Sequence, residues 1–458
     1  MTTLASARAA RSAPAAPAAV LGLTSAATLL ALMNYTAPFA VLADTAAGLH
    51  AGATARVWLM SSISLGLAAA LLTVGSLADD HGRRRVFTAG ALLLAASSAA
   101  CALATTPAVF VAGRIVQGAA SAALLAAGLG TLGAVFTGAE RVRATGVWGA
   151  MVGAGIALGP VAAALLTLAG WRLWYGAAAV ASLALASAAR ALPESRAAVR
   201  RGLDLPGALT MTGGVAALLT AVTLGRTGWT RPPVLALLTA AAVLLAAFAL
   251  VEARHRAPML DLALLRHRPF VLSVAAALIT GLGIIGVMSY LATVFHTGFG
   301  YSPLAGALLL AVWSGLSFLF ALQARRLPAR FTAGRLLAAA LVISAAGEFA
   351  LLGLSPGTPW WRLLPGLVIA GAGSGLGNAM LARVAVESVP PERVSVGSAA
   401  NNTARYIGAA LGVAAVVAVA ATAGTASRAA LVHGADTAML VSALVCLAGA
   451  ALAAVLTD

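Results

Sequence analysis

The sequence predicts an all-α polytopic membrane protein, and three observations lead to that prediction. Apolar residues make up 61% of the 458-residue chain, charged residues make up only 9%, and the mean hydropathy is +0.97. A soluble domain carries about 25% charged residues, so this chain has too little charge to cover a surface that faces water. The apolar residues also fall into long runs, each close to the roughly 20 residues that a helix needs to cross a bilayer.

Fourteen such runs predict fourteen transmembrane helices. Several of them contain Gly or Pro, which membrane helices tolerate. The first run is too long for the core of a signal peptide, so we interpret it as the first span. The approximate limits are 18–43, 57–78, 86–105, 108–134, 144–168, 173–190, 206–224, 232–251, 270–294, 304–324, 335–354, 362–386, 396–422 and 437–456.

The distribution of arginine predicts the orientation of these spans. The net charge is +16, and every one of the 29 basic residues is Arg. If the N-terminus is inside and the spans alternate, most arginines fall on inner segments. The outer segments hold only Arg56, Arg172, Arg226, Arg231, Arg362 and Arg428. The positive-inside rule therefore predicts an inner (plasma) membrane protein with both termini in the cytoplasm. Because the arginines form short clusters between apolar runs, we do not expect a nucleic-acid partner.

The spans also suggest two related halves. Residues 75–94 and 324–337 are Arg-dense loops that link two spans on the inner side, about 250 residues apart. Internal repeats of this kind are common in membrane transport proteins. We predict a cytoplasmic tail (1–17), a six-helix bundle (18–190), a linker with two inserted helices (191–269) and a second six-helix bundle (270–458). The two bundles are expected to be related by pseudo-two-fold symmetry.

Several kinds of chemistry are not expected from this sequence. A P-loop needs a lysine, and the chain contains none, so a P-loop ATPase is excluded. Cys101 and Cys446 lie far apart inside apolar runs, which argues against a disulfide framework or a metal site. No nucleophile–base arrangement is visible. We therefore expect no enzymatic activity, no catalytic residues, no cofactor and no metal.

A set of short motifs resembles the major facilitator superfamily, in particular its fourteen-span drug:proton antiporter branch. "GSLADDHGRRR" (75–85) resembles the signature loop of that family, "GRIVQGAASAAL" (113–124) its span-four motif and "GAGIALGP" (153–160) its span-five antiporter motif. "GWRLWY", "LPESR", "LDLPGALTMTGG", "GRTGW", "EARHRAPMLDLALLRHRPF" and "VPPERVSVGSAANNTARYIGAALGVA" resemble further stretches of that branch in the same order. The resemblance covers nearly the whole chain after Ala18.

The resemblance implies a secondary active transporter. We expect proton-coupled efflux of small amphipathic compounds or antibiotics by alternating access, with a small-molecule substrate, protons and the lipid bilayer as partners. Three alternatives stay open at this point. The chain could be a dedicated natural-product exporter, an importer or uniporter of a small solute, or, in a different class, a membrane receptor or scaffold that transports nothing.

The resemblance also implies a set of gating residues, namely Gly75, Asp79, Gly82, Arg83, Arg85, Gly155, Gly159 and Pro160. Asp79 is expected to act as a latch that caps a helix terminus or pairs with an arginine of the facing half. The alternative is that this loop only anchors the topology. The glycines of span five are expected to pack that span tightly against a helix of the second half.

Acids and bases inside spans are candidates for proton coupling, because charged groups are costly within a bilayer and usually functional there. Glu348 is the clearest acid within a span, and Asp44 is a second choice. Arg114 lies inside span four, where it faces either a cavity or an interface. Asn34 stands where related exporters often carry an aspartate, and an amide cannot carry a proton.

Polar, aromatic and Met residues on the spans that line the cavity in this family are candidates for substrate contact, although each alone is more often a packing residue. They are Asn34, Tyr35, Gln117, Trp148, Met151, Met288, Tyr290, Trp313, Phe318, Asn378, Asn402, Arg405 and Tyr406.

Two positions of the loops depart from the family pattern. Asp80 replaces a residue that the family prefers to be basic, and Ala329 replaces a repeated aspartate in the second loop.

Overall fold

The computed structural model describes residues 17–197, 204–225, 228–255, 258–327, 331–422 and 427–457, and within them it contains helices and no strands. Residues 1–16 of the predicted tail and Ala329 lie outside the described residues, and Pro17 begins the first helix. Thirteen described helices are long and apolar enough to cross a membrane. The run predicted at 173–190 forms a helix of 17 residues, Arg172–Ala188, which is shorter than the other thirteen.

The first group of helices runs from residue 17 to residue 188. Its members are α1 (Pro17–Thr36), α2 (Pro38–Gly48), α3 (Ala53–His81), α4 (Arg83–Leu103), α5 (Pro107–Val135), α6 (Gly138–Thr167) and α7 (Arg172–Ala188). The prediction of one continuous first span at 18–43 was wrong, because the chain breaks at Ala37 between α1 and α2. The break precedes Pro38, which lacks an N–H and cannot continue the hydrogen-bond ladder of α1.

The second group runs from residue 268 to residue 457. It comprises α10 (Arg268–Thr280), α11 (Gly286–Thr293), α12 (Pro303–Gln323), α13 (Ala333–Ala350), α14 (Leu364–Glu387), α15 (Val394–Ala421) and α16 (Arg428–Thr457). Two π-helical turns, Gly281–Ile285 and Val294–Gly298, lie at the two ends of α11. Together α10, α11 and these turns form the span predicted at 270–294. Such π turns are often found at functional sites.

The packing of the second group repeats that of the first. In the first group, α5 packs on α3 and α4, α7 on α4, and α6 on α1. The equivalent pairs in the second group are α14 with α12 and α13, α16 with α13, and α15 with α10. The groups meet through α3 with α15 and α6 with α12, two contacts that exchange under a two-fold axis. The predicted bundle limits at 190 and 270 stay predictions.

Local sequence signals explain where many of these helices begin. Thr106, Ser302 and Thr332 stand before α5, α12 and α13, and each side-chain oxygen accepts a hydrogen bond from a backbone N–H of the first turn. Such residues satisfy donors that a helix leaves unpaired at its N-terminus. Gly82 joins α3 to α4 with a φ of +117°, a conformation that L side chains rarely adopt.

The inserted pair forms a hairpin of α8 (Leu205–Gly225) and α9 (Pro232–Arg254). Helix α8 packs against α3 and α15, whereas α9 packs mainly on α8 and is mostly exposed. Two buried acids stabilise the open end of the hairpin, opposite the loop that joins α8 to α9. Asp204 accepts a hydrogen bond from the Gly207 amide at 2.8 Å, and Glu252 accepts one from the Leu260 amide at 3.1 Å. Both side chains therefore hold the chain in place where it enters and leaves the hairpin.

Glycine brings α3 and α5 into backbone contact. A Cβ atom on Gly118 would lie 2.5 Å from the Leu67 backbone nitrogen and would also clash with the Ile63 carbonyl. On the facing helix, a Cβ atom on Gly66 would clash with the Ile115 backbone. In lipid, no hydrophobic force drives helices together, so helices associate through close packing of this kind. These small residues therefore set how closely the helices of the first group approach each other.

We expect Gly118→Ala to lower the melting temperature of the purified protein in detergent, because the added methyl group has no space. Overpacking of this kind costs about 1–3 kcal/mol. Gly176→Ala on α7 is the matched control, since a Cβ atom there meets nothing within 4 Å. A Gly118→Ala protein that melts at the same temperature as the control would contradict the close contact of α3 and α5.

Candidate functional site

A cavity of about 40 Å³ lies between the two helix groups, and we call it the central cavity. Helices α1 and α6 of the first group and α10, α11, α12, α14 and α15 of the second group contribute to its wall, together with the π-helical turn at 281–285. It is lined by Leu32, Tyr35, Val152, Gly153, Ile156, Thr280, Ile284, Ile285, Met288, Trp313, Ser314, Ser317, Ser374, Asn378, Arg405 and Tyr406. The wall is mostly apolar, with a few hydroxyl and amide groups and one cation.

Arg405 is that cation, and its side chain is buried with only 4% exposed. Its guanidinium donates to the Asn378 side-chain oxygen and to the Tyr406 hydroxyl, both at 3.4 Å. Its Nε has no hydrogen-bond partner among the described residues. The Tyr406 ring packs beside the guanidinium, 5.2 Å from its carbon, and also packs on the ring of Tyr35. The charge of Arg405 thus lies among neutral groups.

A larger cavity of about 340 Å³ adjoins the central one, and we call it the outer cavity. Tyr35 lines both cavities, and its hydroxyl accepts a hydrogen bond from Ser64 at 3.2 Å. The wall of the outer cavity comes from α1, α2, α3, α11, α15 and the inserted helix α8, and it includes Arg56 and Tyr290. Its size falls within the roughly 300–1,000 Å³ that is usual for sites of small organic ligands.

The structure places the thirteen predicted substrate-contact residues in three groups. Tyr35, Met288, Trp313, Asn378, Arg405 and Tyr406 line the central cavity, and Tyr290 lines the outer one. Asn34, Gln117, Trp148, Met151, Phe318 and Asn402 line neither of these two cavities. Asn402, for example, donates back to the Ser398 carbonyl of its own helix. Sequence reasoning missed the hydroxyl-bearing wall of Ser314, Ser317 and Ser374, because small polar residues are also common in helix packing.

Asn34, Arg114 and Gln117 form a buried polar cluster inside the first helix group. One Nη atom of Arg114 donates to the backbone carbonyl of Asn34 at 2.9 Å and to the Gln117 side-chain oxygen at 2.8 Å. Gln117 in turn donates to Ser98 at 2.8 Å. The side chain of Asn34 is fully buried and has no hydrogen-bond partner among the described residues. Arg114 therefore faces neither an interface nor the central cavity, and neutral oxygens of its own helix group satisfy part of its guanidinium.

Asp79 joins the two helix groups at one end of the bundle, which we call the Asp79 end. Its carboxylate accepts hydrogen bonds from the backbone N–H groups of Ser395 at 3.3 Å and Val396 at 3.0 Å, in the first turn of α15. These N–H groups have no partner within the helix, and the helix dipole favours a negative charge there. The expected cap on a helix terminus is therefore present. Gly75 lets α3 approach, since a Cβ atom there would lie 2.5 Å from that of Ala399.

Of the two forms of latch suggested for Asp79, the structure shows the helix cap and not the pairing with an arginine of the facing helix group. The partner of Asp79 is Arg83 of its own group, at 2.7 Å. Arg83 also crosses the boundary and donates to the Ser395 hydroxyl at 3.1 Å. The ion pair between the groups belongs to Asp80, whose carboxylate lies 3.0 Å from Arg393. Asp80, which stands where the family prefers a basic residue, thus makes the ion pair with the facing group that was suggested for Asp79.

The segment after α7 holds the turn between α3 and α4. The Ala197 amide donates to the Asp79 carbonyl at 2.7 Å, and the Arg83 amide donates to the Ser195 carbonyl at 2.9 Å. Glu194 accepts from the Arg84 amide and lies 3.6–3.7 Å from the Arg84 and Arg85 side chains. This is a structural role for the motif "LPESR". Arg85 is mostly exposed and takes no part in the contact between the two groups.

The glycines of α6 face two different partners. Gly155 and Gly159 pack against α1 of their own group, where Cβ atoms would clash with Leu32 and Thr36. Gly153 approaches the second group, since its Cβ atom would lie 2.9 Å from the Phe318 nitrogen on α12. The expected packing against the second half is therefore present at Gly153, two residues before Gly155. Pro160 lies inside α6 without ending the helix.

Glu348 is fully buried inside the second helix group, so it does not reach an outer interface. Neither carboxyl oxygen has a hydrogen-bond partner among the described residues. The neighbouring Ser442 hydroxyl points to the carbonyl of Gly283, at 2.8 Å, in the π-helical turn. Glu348 does not pair with Arg405, and it lines neither the central nor the outer cavity. Asp44 is exposed on α2. Within the described residues, no group of three potential ligands could hold a metal ion.

We expect Asp79→Asn to open the Asp79 end. A cysteine introduced by Ser398→Cys, at a fully buried position on α15, reports the opening through its labelling rate with a membrane-impermeant thiol reagent. Hydrogen bonds to charged groups contribute about 1.5–3 kcal/mol, so labelling should accelerate about tenfold or more. The matched control is Asp261→Asn, which changes an acid that only caps its own turn. Equal labelling rates in the two variants would show that Asp79 does not hold this end closed.

Comparisons with known proteins agree with this geometry. The family model described as Major Facilitator Superfamily matches residues 24–413. The puromycin resistance protein pur8 of Streptomyces alboniger is 35% identical over 398 residues, which cover 85% of this chain and 79% of that protein. The probable actinorhodin transporter of Streptomyces coelicolor is 30% identical, with 84% and 68% covered. The proton:xylose symporter XylE has a similar fold, with a TM-score of 0.70 at 14% identity over 95% and 94% of the two chains. This chain belongs to the major facilitator superfamily.

Proposed function

We propose that this protein exports small amphipathic compounds in exchange for protons by alternating access. The observation that carries the proposal is the central cavity, which lies at the boundary of two similarly packed helix groups and is separated from one end of the bundle by the Asp79 contacts. Relatives named for puromycin resistance and for actinorhodin transport support export of this class of compound. The mostly apolar wall with a few polar groups suits amphipathic ligands.

In this proposal the Asp79 contacts form the cytoplasmic gate. With the carboxylate on the first turn of α15 and Arg83 beside it, the gate is closed and substrate is protected from the cytoplasm. Opening the gate separates α3 from α15 and breaks the Asp80–Arg393 ion pair at the same time. The arginine distribution supports an inner-membrane location with both termini in the cytoplasm.

Glu348 is the proposed site of proton coupling. An ionised carboxylate is strongly disfavoured where no water or charged partner reaches it. Glu348 has no charged partner among the described residues, and its neighbour Ser442 donates to the carbonyl of Gly283 at 2.8 Å. Ile284 and Ile285 of the same π-helical turn form part of the central cavity wall. A change in the protonation of Glu348 can therefore affect the cavity wall through the Ser442 hydroxyl, which bonds to this π-helical turn.

The direct test of the proposed function is proton flux that is evoked by substrate. Purified protein in proteoliposomes is given a panel of amphipathic compounds, and the internal pH is recorded. Proton movement that depends on a compound and opposes its direction supports antiport. Proton movement in the same direction indicates an importer, and compound movement that ignores the pH gradient indicates facilitated diffusion. If no compound moves in either direction, the non-transporting alternative gains support.

We expect Glu348→Gln to abolish export against a concentration gradient, because the amide cannot release a proton. Downhill exchange of substrate should continue, since the cavity wall and the gate are unchanged. Concentrative uptake into inverted vesicles measures the first activity, and counterflow of labelled substrate measures the second. The matched control is Glu387→Gln, which alters an exposed acid paired with Arg383. If Glu348→Gln still concentrates substrate, the coupling acid lies elsewhere, and Asp44 is the next residue to substitute.

We also expect reporters to show that the hairpin spans the membrane. Fusions after Glu194 and after Arg268 should report a cytoplasmic location, and a fusion near Trp229 should report the periplasm. Each helix of the hairpin is long and apolar enough to cross a bilayer. A cytoplasmic signal at Trp229 would mean that α8 and α9 do not span and that the twelve-helix arrangement applies.

A further inference from the structure

The charged residues that line the central and outer cavities are all positive. Among the described residues that line the central and outer cavities, none is Asp or Glu. The central cavity holds Arg405, and the outer cavity holds Arg56, which is exposed. The remaining polar side-chain groups are neutral hydroxyls, the amide of Asn378 and the indole N–H of Trp313. A ligand that passes from one cavity to the other therefore meets two positive charges and no negative charge from these walls.

Arg405 differs from the other buried arginines of the described chain in what surrounds it. Arg83 is equally buried, but the Asp79 carboxylate pairs with it at 2.7 Å. Arg114 also has no carboxylate partner among the described residues, and its Nε and one Nη lack a hydrogen-bond partner there. It makes two short hydrogen bonds of 2.8–2.9 Å within the first helix group, however, and it lines neither the central nor the outer cavity. Arg405 has two long contacts of 3.4 Å and a free Nε, and it faces the central cavity. A buried charge is costly unless a partner of opposite charge or several hydrogen bonds compensate it.

The acids that could neutralise Arg405 are elsewhere. Glu348 is buried within the second helix group and lines neither cavity, and Asp44 is exposed on α2. Position 34, on the helix that carries Tyr35 into both cavities, holds an amide. A cationic ligand in the central cavity would be repelled by Arg405 with no carboxylate of the wall to offset the repulsion. An anion would supply the missing partner.

We propose that the substrates are amphipathic organic anions, with a carboxylate or phenolate bound to Arg405; this inference rests on the proposed export function. A planar guanidinium forms two parallel hydrogen bonds to a carboxylate, and Nε is one of the donors that this arrangement uses. The hydrophobic part of the molecule lies against Ile284, Met288 and Trp313 of the same cavity. The outer cavity, which shares Tyr35, receives the molecule next, and Arg56 at its wall keeps the path favourable for an anion.

The test uses three probes with the same ring system and different charge: 9-anthracenecarboxylate, 9-(aminomethyl)anthracene as a cation, and neutral 9-anthracenemethanol. Binding to the purified protein is followed at neutral pH by energy transfer from tryptophan to anthracene. We expect the carboxylate to bind about tenfold or more tightly than the amine, in keeping with a charge-assisted hydrogen-bond pair. Tighter binding of the amine, or no binding of the carboxylate at about millimolar concentration, overturns the proposal.

Substitutions of Arg405 test whether its positive charge is responsible for binding of the carboxylate. R405Q should weaken carboxylate binding about tenfold or more and leave the binding of the alcohol unchanged, whereas R405K should retain the preference for the carboxylate over the amine. R428Q is the control, because Arg428 is exposed at the start of α16. Unchanged carboxylate affinity in R405Q contradicts the proposal. The comparison of the three probes in the unsubstituted protein decides the question even if R405Q does not fold.

The binding and flux experiments distinguish a failure of the anion proposal from a failure of the proposed export function. If the carboxylate binds through Arg405 but no proton flux accompanies it in proteoliposomes, the proposed function fails and the charge preference stands. If the compound panel evokes proton flux only with cations, export by antiport stands and the anion proposal is overturned.

Discussion

A carboxylate on the end of a helix joins the two helix groups at the Asp79 end. Asp79 belongs to the first helix group, and its two oxygens accept the first N–H groups of α15 in the second group. In an apolar chain there are few other strong contacts available between the groups, because lipid offers no hydrophobic gain for pressing helices together. The surrounding features serve this contact. Gly75 permits the approach, Gly82 makes the turn that places Arg83, and Arg83 compensates the charge.

The sequence predicted those features that depend on neighbouring residues or on the thickness of the bilayer. Run lengths predicted the helices, and the order of motifs predicted the family, because both depend on residues that are near each other in the chain. The break at Ala37 could be foreseen from Pro38, yet the run around it was apolar enough to suggest one helix. The π-helical turn at 281–285 had no signal beyond its glycines. Its geometry depends on how α10 and α11 pack against α15.

Contacts between distant residues were the least predictable part. Asp80 and Arg393 are 313 residues apart, and nothing in either segment indicates the other. The resemblance implied that the glycines of α6 pack against the second half, but Gly155 and Gly159 face α1, because the choice of face depends on how the whole bundle is arranged. Arg405 was predicted to lie at the cavity. Its lack of a carboxylate partner emerges only when every neighbouring helix is in place.

The inserted hairpin makes the two sides of the molecule mechanically unequal. Helix α8 packs on α3 of one group and α15 of the other, so it bridges the boundary between the two helix groups. Its hydrogen bonds go to α3, where Thr212 bonds to Thr73 at 3.2 Å and to the Ala69 carbonyl at 3.1 Å. Within the described residues, no side-chain hydrogen bond joins α8 to α15. Side-chain hydrogen bonds thus attach the hairpin to the first group, whereas its described residues meet α15 of the second group through packing, beside the outer cavity.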